Sequence, residues 1–148
     1  MKNFDYLKDY EQLKELYGFC SNAEDAFNLN HVTSAMNGRL ALEWLVRQIY
    51  QMKGIAIDEK DSLYELMVGE PFAAFIADDK MMMAAHHIRK IGNQAVHQGS
   101  VKGGQAFFAL LNLYDLVGFV LLKLQVINEL QPFNRDLIPL RPDGFVVT

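Results

Sequence analysis

Apolar side chains recur every three or four residues along most of this chain. Leu7, Tyr10, Leu13, Leu16 or Tyr17, Cys20, Ala23 and Phe27 predict an amphipathic helix from Tyr6 to Phe27, bent near Gly18, with a solvated charged outer face. A second helix is bounded by Asn30, a capping residue type, and by Gly54, a helix-ending one. Between them Val32, Ala35, Met36, Leu40, Leu42, Leu45, Val46, Ile49 and Met52 form a broad apolar face. In DSLYELMVG, Asp61 or Ser62 caps a short third helix and Glu65 stands where a capping box needs it; Pro71 opens a further short turn to Ile76. Asp78 and Asp79 suit the positive end of a fourth helix running from Lys80 to His97 and stopped by Gly99. A loop over SVKGGQ leads to a last helix from Gln105 to Leu130.

These elements predict an all-α fold, an up-and-down bundle of about five principal helices with the third one short. Residues 1–130 read as one bundle domain. Pro132, Pro139 and Pro142, with the turn signal PDG at 142–144, mark 131–148 as a linker leading to further domains.

Composition narrows the classes. The chain has 148 residues, 51% of them hydrophobic, enough for one filled core. A net charge of -4 excludes a surface that coats nucleic acid indiscriminately, so any such contact must be local. The single cysteine, Cys20, excludes an intramolecular disulfide and a cysteine zinc site, reads as core packing and fits a cytoplasmic protein. The charged N-terminus is not a signal peptide. The apolar run Phe107 to Leu124 is broken by Asn112, Asp115 and Lys123, which predicts a buried helix and no membrane partner.

The fourth helix concentrates the chemistry. From Lys80 to Lys102 there is no Asp or Glu, while Lys80, Arg89, Lys90, Lys102 and three of the four histidines fall there. Such a run attracts phosphate. At about 100° per residue, His86, Lys90, Asn93 and His97 share a narrow stripe, with Arg89 at its border. Histidine moves protons near neutral pH and arginine neutralises phosphate, so Arg89, Asn93 and His97 are the candidate catalytic set of a metal-free ribonuclease. His86, Arg89, Lys90 and Lys102 are the candidate nucleic-acid contacts. The plainer alternative is a polar helix face, with His97 stabilising the negative helix end.

Gly92 is costly inside a helix and predicts a close approach, foremost by a packing helix. Arg39 and Glu43, one turn apart, form either a weak surface pair or an orienting pair for the fourth helix. His86 and His87 diverge by about 100° and no zinc motif is present, so neither metal nor cofactor is expected. Gly103 and Gly104 lack the lysine and strand of a nucleotide-binding loop.

The pattern IRKIGNQAVHQG, with GRLALEWLV earlier and an apolar helix after it, resembles the HEPN-like domain of unknown function that occurs alone and at the N-terminus of type I restriction enzyme R subunits and related helicase proteins. The resemblance spans Phe4 to Val126. It implies a bundle of four to five helices that dimerises, the motif helices meeting at a cleft. In active members the cleft cuts RNA without metal, through an arginine, the polar residue after it and a histidine. Asn93 and His97 match the last two, whereas Gly92 stands where the arginine belongs. The expectation is therefore an N-terminal accessory domain of a restriction-modification or related defence protein, binding nucleic acid or assembling with other subunits. A metal-independent ribonuclease and an inactive helical dimerisation module are the alternatives.

Overall fold

The computed structural model describes residues 1–141. Six α-helices form it: α1 (Lys14–Ala26), α2 (His31–Met52), α3 (Leu63–Val68), α4 (Glu70–Ile76), α5 (Asp79–Gln98) and α6 (Gly103–Lys123). No strand occurs among the described residues. The predicted fourth helix is α5. The turn expected after Pro71 is α4.

The local signals sit where their chemistry requires. Asn30 Oδ1 accepts from the Thr33 N–H and Asp78 Oδ1 from the Met81 N–H, each satisfying a first-turn donor. Ser62 and Glu65 form a reciprocal capping box on α3. Gly54 and Gly99 end α2 and α5 at positive φ, 71° and 67°.

Two boundaries differ from expectation. Residues 5–9 and 11–13 are 3-10 turns, separated by Tyr10 in extended conformation, so the first α-helix begins only at Lys14. The last helix ends at Lys123 rather than Leu130. Gln125 takes φ 59°, and the N–H groups of Gln125 and Val126 return to the carbonyls of Leu122 and Leu121. That is a Schellman closure built on glutamine instead of glycine.

Paired contacts set the helix directions. Gln94 meets Gln105 and His87 meets Asn112, so α5 and α6 run antiparallel. Ala35 packs with Ile91 and Ala95 whereas Gly38 lies beside Ile88, so α2 and α5 do too. A main core fills the bundle, with Phe4, Leu42, Phe72, Ile88, Leu113 and Leu116 among its deeply buried side chains, and a small second cluster of Ala35, Ile91, Ala95 and Ala109 lies where α2, α5 and α6 meet. Helix α6 is the one described helix long and apolar enough to cross a membrane. More than half of it is buried against the other helices, as expected for a core helix.

The outer face of α1 is not uniformly solvated. Glu24 is fully buried and its carboxylate accepts from the N–H groups of Asn3 and Phe4 and from the Asn3 side-chain amide. The segment after α6 is irregular, with one 3-10 turn at Arg135–Leu137, yet it is docked on the bundle as far as Pro139, whose carbonyl accepts from the Asn28 amide. Leu130 occupies the space above Gly118, the Tyr114 hydroxyl donates to the Gln131 carbonyl at 2.6 Å, and Asn134 exchanges hydrogen bonds with Asn3. Ile138 is buried. The turn expected at PDG and the FVVT terminus lie outside the described residues.

Candidate functional site

Helix α5 lies between α2 and α6 and presents one face outward. Ala84, Ala85, Ile88, Ile91, Gly92 and Ala95 point into the bundle, which leaves Met83, Lys90 and His97 exposed and His86, His87, Arg89, Asn93 and Gln94 at the borders. Both borders are closed by polar contacts. On the α6 side His87 Nδ1 lies 3.0 Å from the Asn112 amide, and the Gln94 amide donates to Gln105 Oε1 at 2.9 Å.

On the α2 side the closure runs through Gly92. A Cβ placed there would stand 2.5 Å from Arg39 Cβ and 2.9 Å from its Cδ. Only glycine lets the arginine stem lie across the helix. The stem carries the guanidinium past residue 92, and Arg39 Nε–H donates to Asn93 Oδ1 at 2.9 Å. Glu43 Oε2 stands 3.6 Å from the same guanidinium, while Glu43 Oε1 pairs with Arg47 at 3.2 Å. One carboxylate thus serves two arginines. A hydrogen bond to a charged group is worth roughly 1.5–3 kcal/mol when shielded. Arg39 and Glu43 are about 30% exposed, so the contribution here lies below that range.

The predicted stripe therefore divides into two groups. Asn93 is engaged by Arg39. Arg89, one turn earlier, turns instead to α3: its guanidinium carbon lies 5.0 Å from the Tyr64 ring centroid, and its Nη2 is 3.3 Å from His86 Nδ1. Arg89 Nε is buried with no hydrogen-bond partner. Since a guanidinium only donates, the His86 contact holds that imidazole with its proton on Nε2. Burial first, then Arg89 and Lys90, hold the His86 pKa below its ordinary value. Burial and then Lys90 do the same to His87.

His97 is exposed in the last turn of α5, one turn beyond Asn93. Lys102 lies across the corner at the start of α6, where its backbone N–H donates to Gln105 Oε1. From His86 to His97 the rise along α5 is about 16 Å, so the candidate residues line a surface and do not converge on one point. Among the described residues no three His, Cys, Asp or Glu side chains cluster as a metal would require. Cys20 is buried, and burial raises its thiol pKa well above the ordinary value.

The sequence offers Arg39 and Glu43 as an orienting pair for this helix only as one of two readings and without singling out Asn93 as the partner, and neither Tyr64 nor Arg47 stands out in it. The apolar pattern of α3 held the signal for Tyr64: Leu63, Leu66 and Met67 make its buried face, which leaves the tyrosine outward and 50% exposed.

Gly92→Ala is expected to lower stability by about 1–3 kcal/mol, because the new methyl meets a Cβ that moves only with α2 itself. Gly104→Ala, with nothing within 4 Å of the added methyl, is expected to be neutral or to raise stability by up to ~1 kcal/mol. Urea midpoints of the two variants check the contrast. Stability is also expected to fall as pH drops below the ordinary imidazole value of 6.5, because the unfolded chain then binds protons that folded His86 and His87 resist. Thermal melts of a His86→Gln, His87→Gln double variant should show a shallower loss between about pH 7.5 and 5.5. No protein-family model, curated protein or solved structure matches this chain.

Proposed function

We propose that this chain is a HEPN-like accessory domain of a type I restriction R subunit or related defence protein, and that it contacts nucleic acid through the α2–α5 face. The observation that carries the reading is Arg39 lying across Gly92 with its guanidinium on Asn93. In the pattern this chain resembles, an arginine immediately precedes the polar residue. Here a glycine takes that position and an arginine from the neighbouring helix fills the space above it, so a cation again stands beside Asn93.

The charge balance of the face supports the same reading. Arg39, Arg47, Arg89 and Lys90 on α2 and α5 are set against the single carboxylate of Glu43, in a chain whose net charge is -4. A local excess of cations on an acidic protein suits a bounded phosphate contact. Lys90 is exposed and its removal leaves the fold's hydrogen bonds intact, so it is the cleanest probe.

A second reading, metal-independent RNA cleavage, draws on the same pair together with His97. Arg39 would neutralise phosphate, Asn93 would hold an oxygen and His97, one turn along, would move the proton. The two readings separate in one set of assays on labelled RNA and DNA strands. For binding, Lys90→Ala is expected to weaken affinity and to reduce the slope of log affinity against log salt by about one. Unchanged affinity and slope would contradict the proposal. For cleavage, EDTA-resistant cutting of RNA that disappears in His97→Ala is required, and intact RNA after incubation removes that reading.

A further inference from the structure

From the Tyr64, His86 and Arg89 cluster we infer a stacking site for one unpaired base of a single-stranded nucleic acid, with Arg89 supplying the contact to its phosphate. The inference rests on the proposed nucleic-acid role and specifies the form of strand that the face takes.

Three features of the cluster point the same way. Tyr64 is a half-exposed aromatic on a six-residue helix whose buried face is complete without it. His86 lies beside it, ring centroids 5.7 Å apart and planes inclined at 49°, and the Arg89 guanidinium lies 5.0 Å from the tyrosine centroid. Two aromatic rings and one planar cation thus gather at one spot between α3 and α5. Every base has a π-face that such a group accepts, and arginine adds a cation–π contribution.

The second feature is charge. Arg39 and Arg47 each reach Glu43, but no carboxylate among the described residues lies within 4 Å of Arg89. Its Nε–H is buried and donates to no protein atom. His86 holds one of its terminal nitrogens but brings no negative charge. Through the terminal N–H groups that His86 leaves free, a half-buried guanidinium so placed matches a phosphate oxygen, which accepts hydrogen bonds and supplies the missing charge.

The third is the form of the ligand. In a duplex the bases are stacked on one another and offer only their edges, so an aromatic platform gains nothing from them. In a single strand a base can turn out onto the platform while the next phosphate meets Arg89 and the following one approaches exposed Lys90. RNA and DNA share this chemistry.

Fluorescence anisotropy of the 148-residue chain with labelled oligouridylate, oligodeoxyuridylate and a DNA duplex of equal length tests it. Both single strands are expected to bind more tightly than the duplex, and a preference between them identifies the natural sugar. Tyr64→Ala is expected to weaken single-strand binding by about tenfold or more, with Tyr64→Phe close to the parent. Arg89→Gln should weaken binding and lower the salt slope by about one. Thermal melts of each variant verify that it is folded, and Tyr64→Leu, which keeps apolar bulk, serves if Tyr64→Ala is not. Duplex binding equal to single-strand binding, or a folded Tyr64→Ala or Tyr64→Leu variant that binds like the parent while Lys90→Ala is impaired, overturns the stacking site and leaves the broader role standing. Absence of binding to all three probes at low salt overturns both.

Discussion

The approach of α2 to α5 at Gly92 is the constraint on which the candidate site depends. The Arg39 stem occupies the volume that any other side chain at 92 would need. That contact brings two helices distant in sequence close enough for Arg39 to hydrogen-bond Asn93 across 54 residues. It also sets the rotation of α5. With Gly92 against α2, Ile88 and Ala95 face inward, Gln94 reaches Gln105 on α6, and Lys90 and His97 are left outside. The helix-propensity penalty of about 1 kcal/mol for an interior glycine is offset by packing and by the hydrogen bond that this approach permits.

Electrostatics follows from the same packing. Helix α5 carries no acid beyond Asp79, and the acid its neighbour α2 offers, Glu43, is divided between Arg39 and Arg47. Arg89 therefore stands beside rings instead of a carboxylate. Burial, and then the charges of Arg89 and Lys90, weigh against protonation of His86, so the imidazole serves as an acceptor that steadies the guanidinium. In the proposed role the face is a row of cations at graded exposure, from Arg39 at the seam to Lys90 in solvent.

What was legible in the sequence was local. Asn30, Ser62 and Asp78 cap helices through bonds to residues three positions on, and Gly54 and Gly99 end them through their own backbone, so short windows contain both partners. The first helix was overextended because Leu7, Tyr10, Leu13 and Leu16 repeat every three residues, a period that 3-10 turns satisfy as well as an α-helix does. The last was overextended because Gln125 adopts a conformation usually signalled by glycine. Glu24 gave no sign of burial, since its partners Asn3 and Phe4 are 21 and 20 residues away. The docking of the proline-containing strap was hidden for the same reason, its Asn134 and Asn28 contacts spanning more than 100 residues. The site was half legible: the residue types on α5 were visible, but their division between Arg39 and Tyr64 arises only from packing.

In the proposed role Arg39 and Asn93 act as one unit across Gly92 in nucleic-acid binding. A double-mutant cycle of Arg39→Ala and Asn93→Ala, read as affinity for a labelled oligonucleotide, tests it most directly. Each single variant is expected to weaken binding and the double variant to be little weaker than either, a coupling of about 0.5–3 kcal/mol. Losses that simply add, or affinity unmoved by both substitutions, would contradict it.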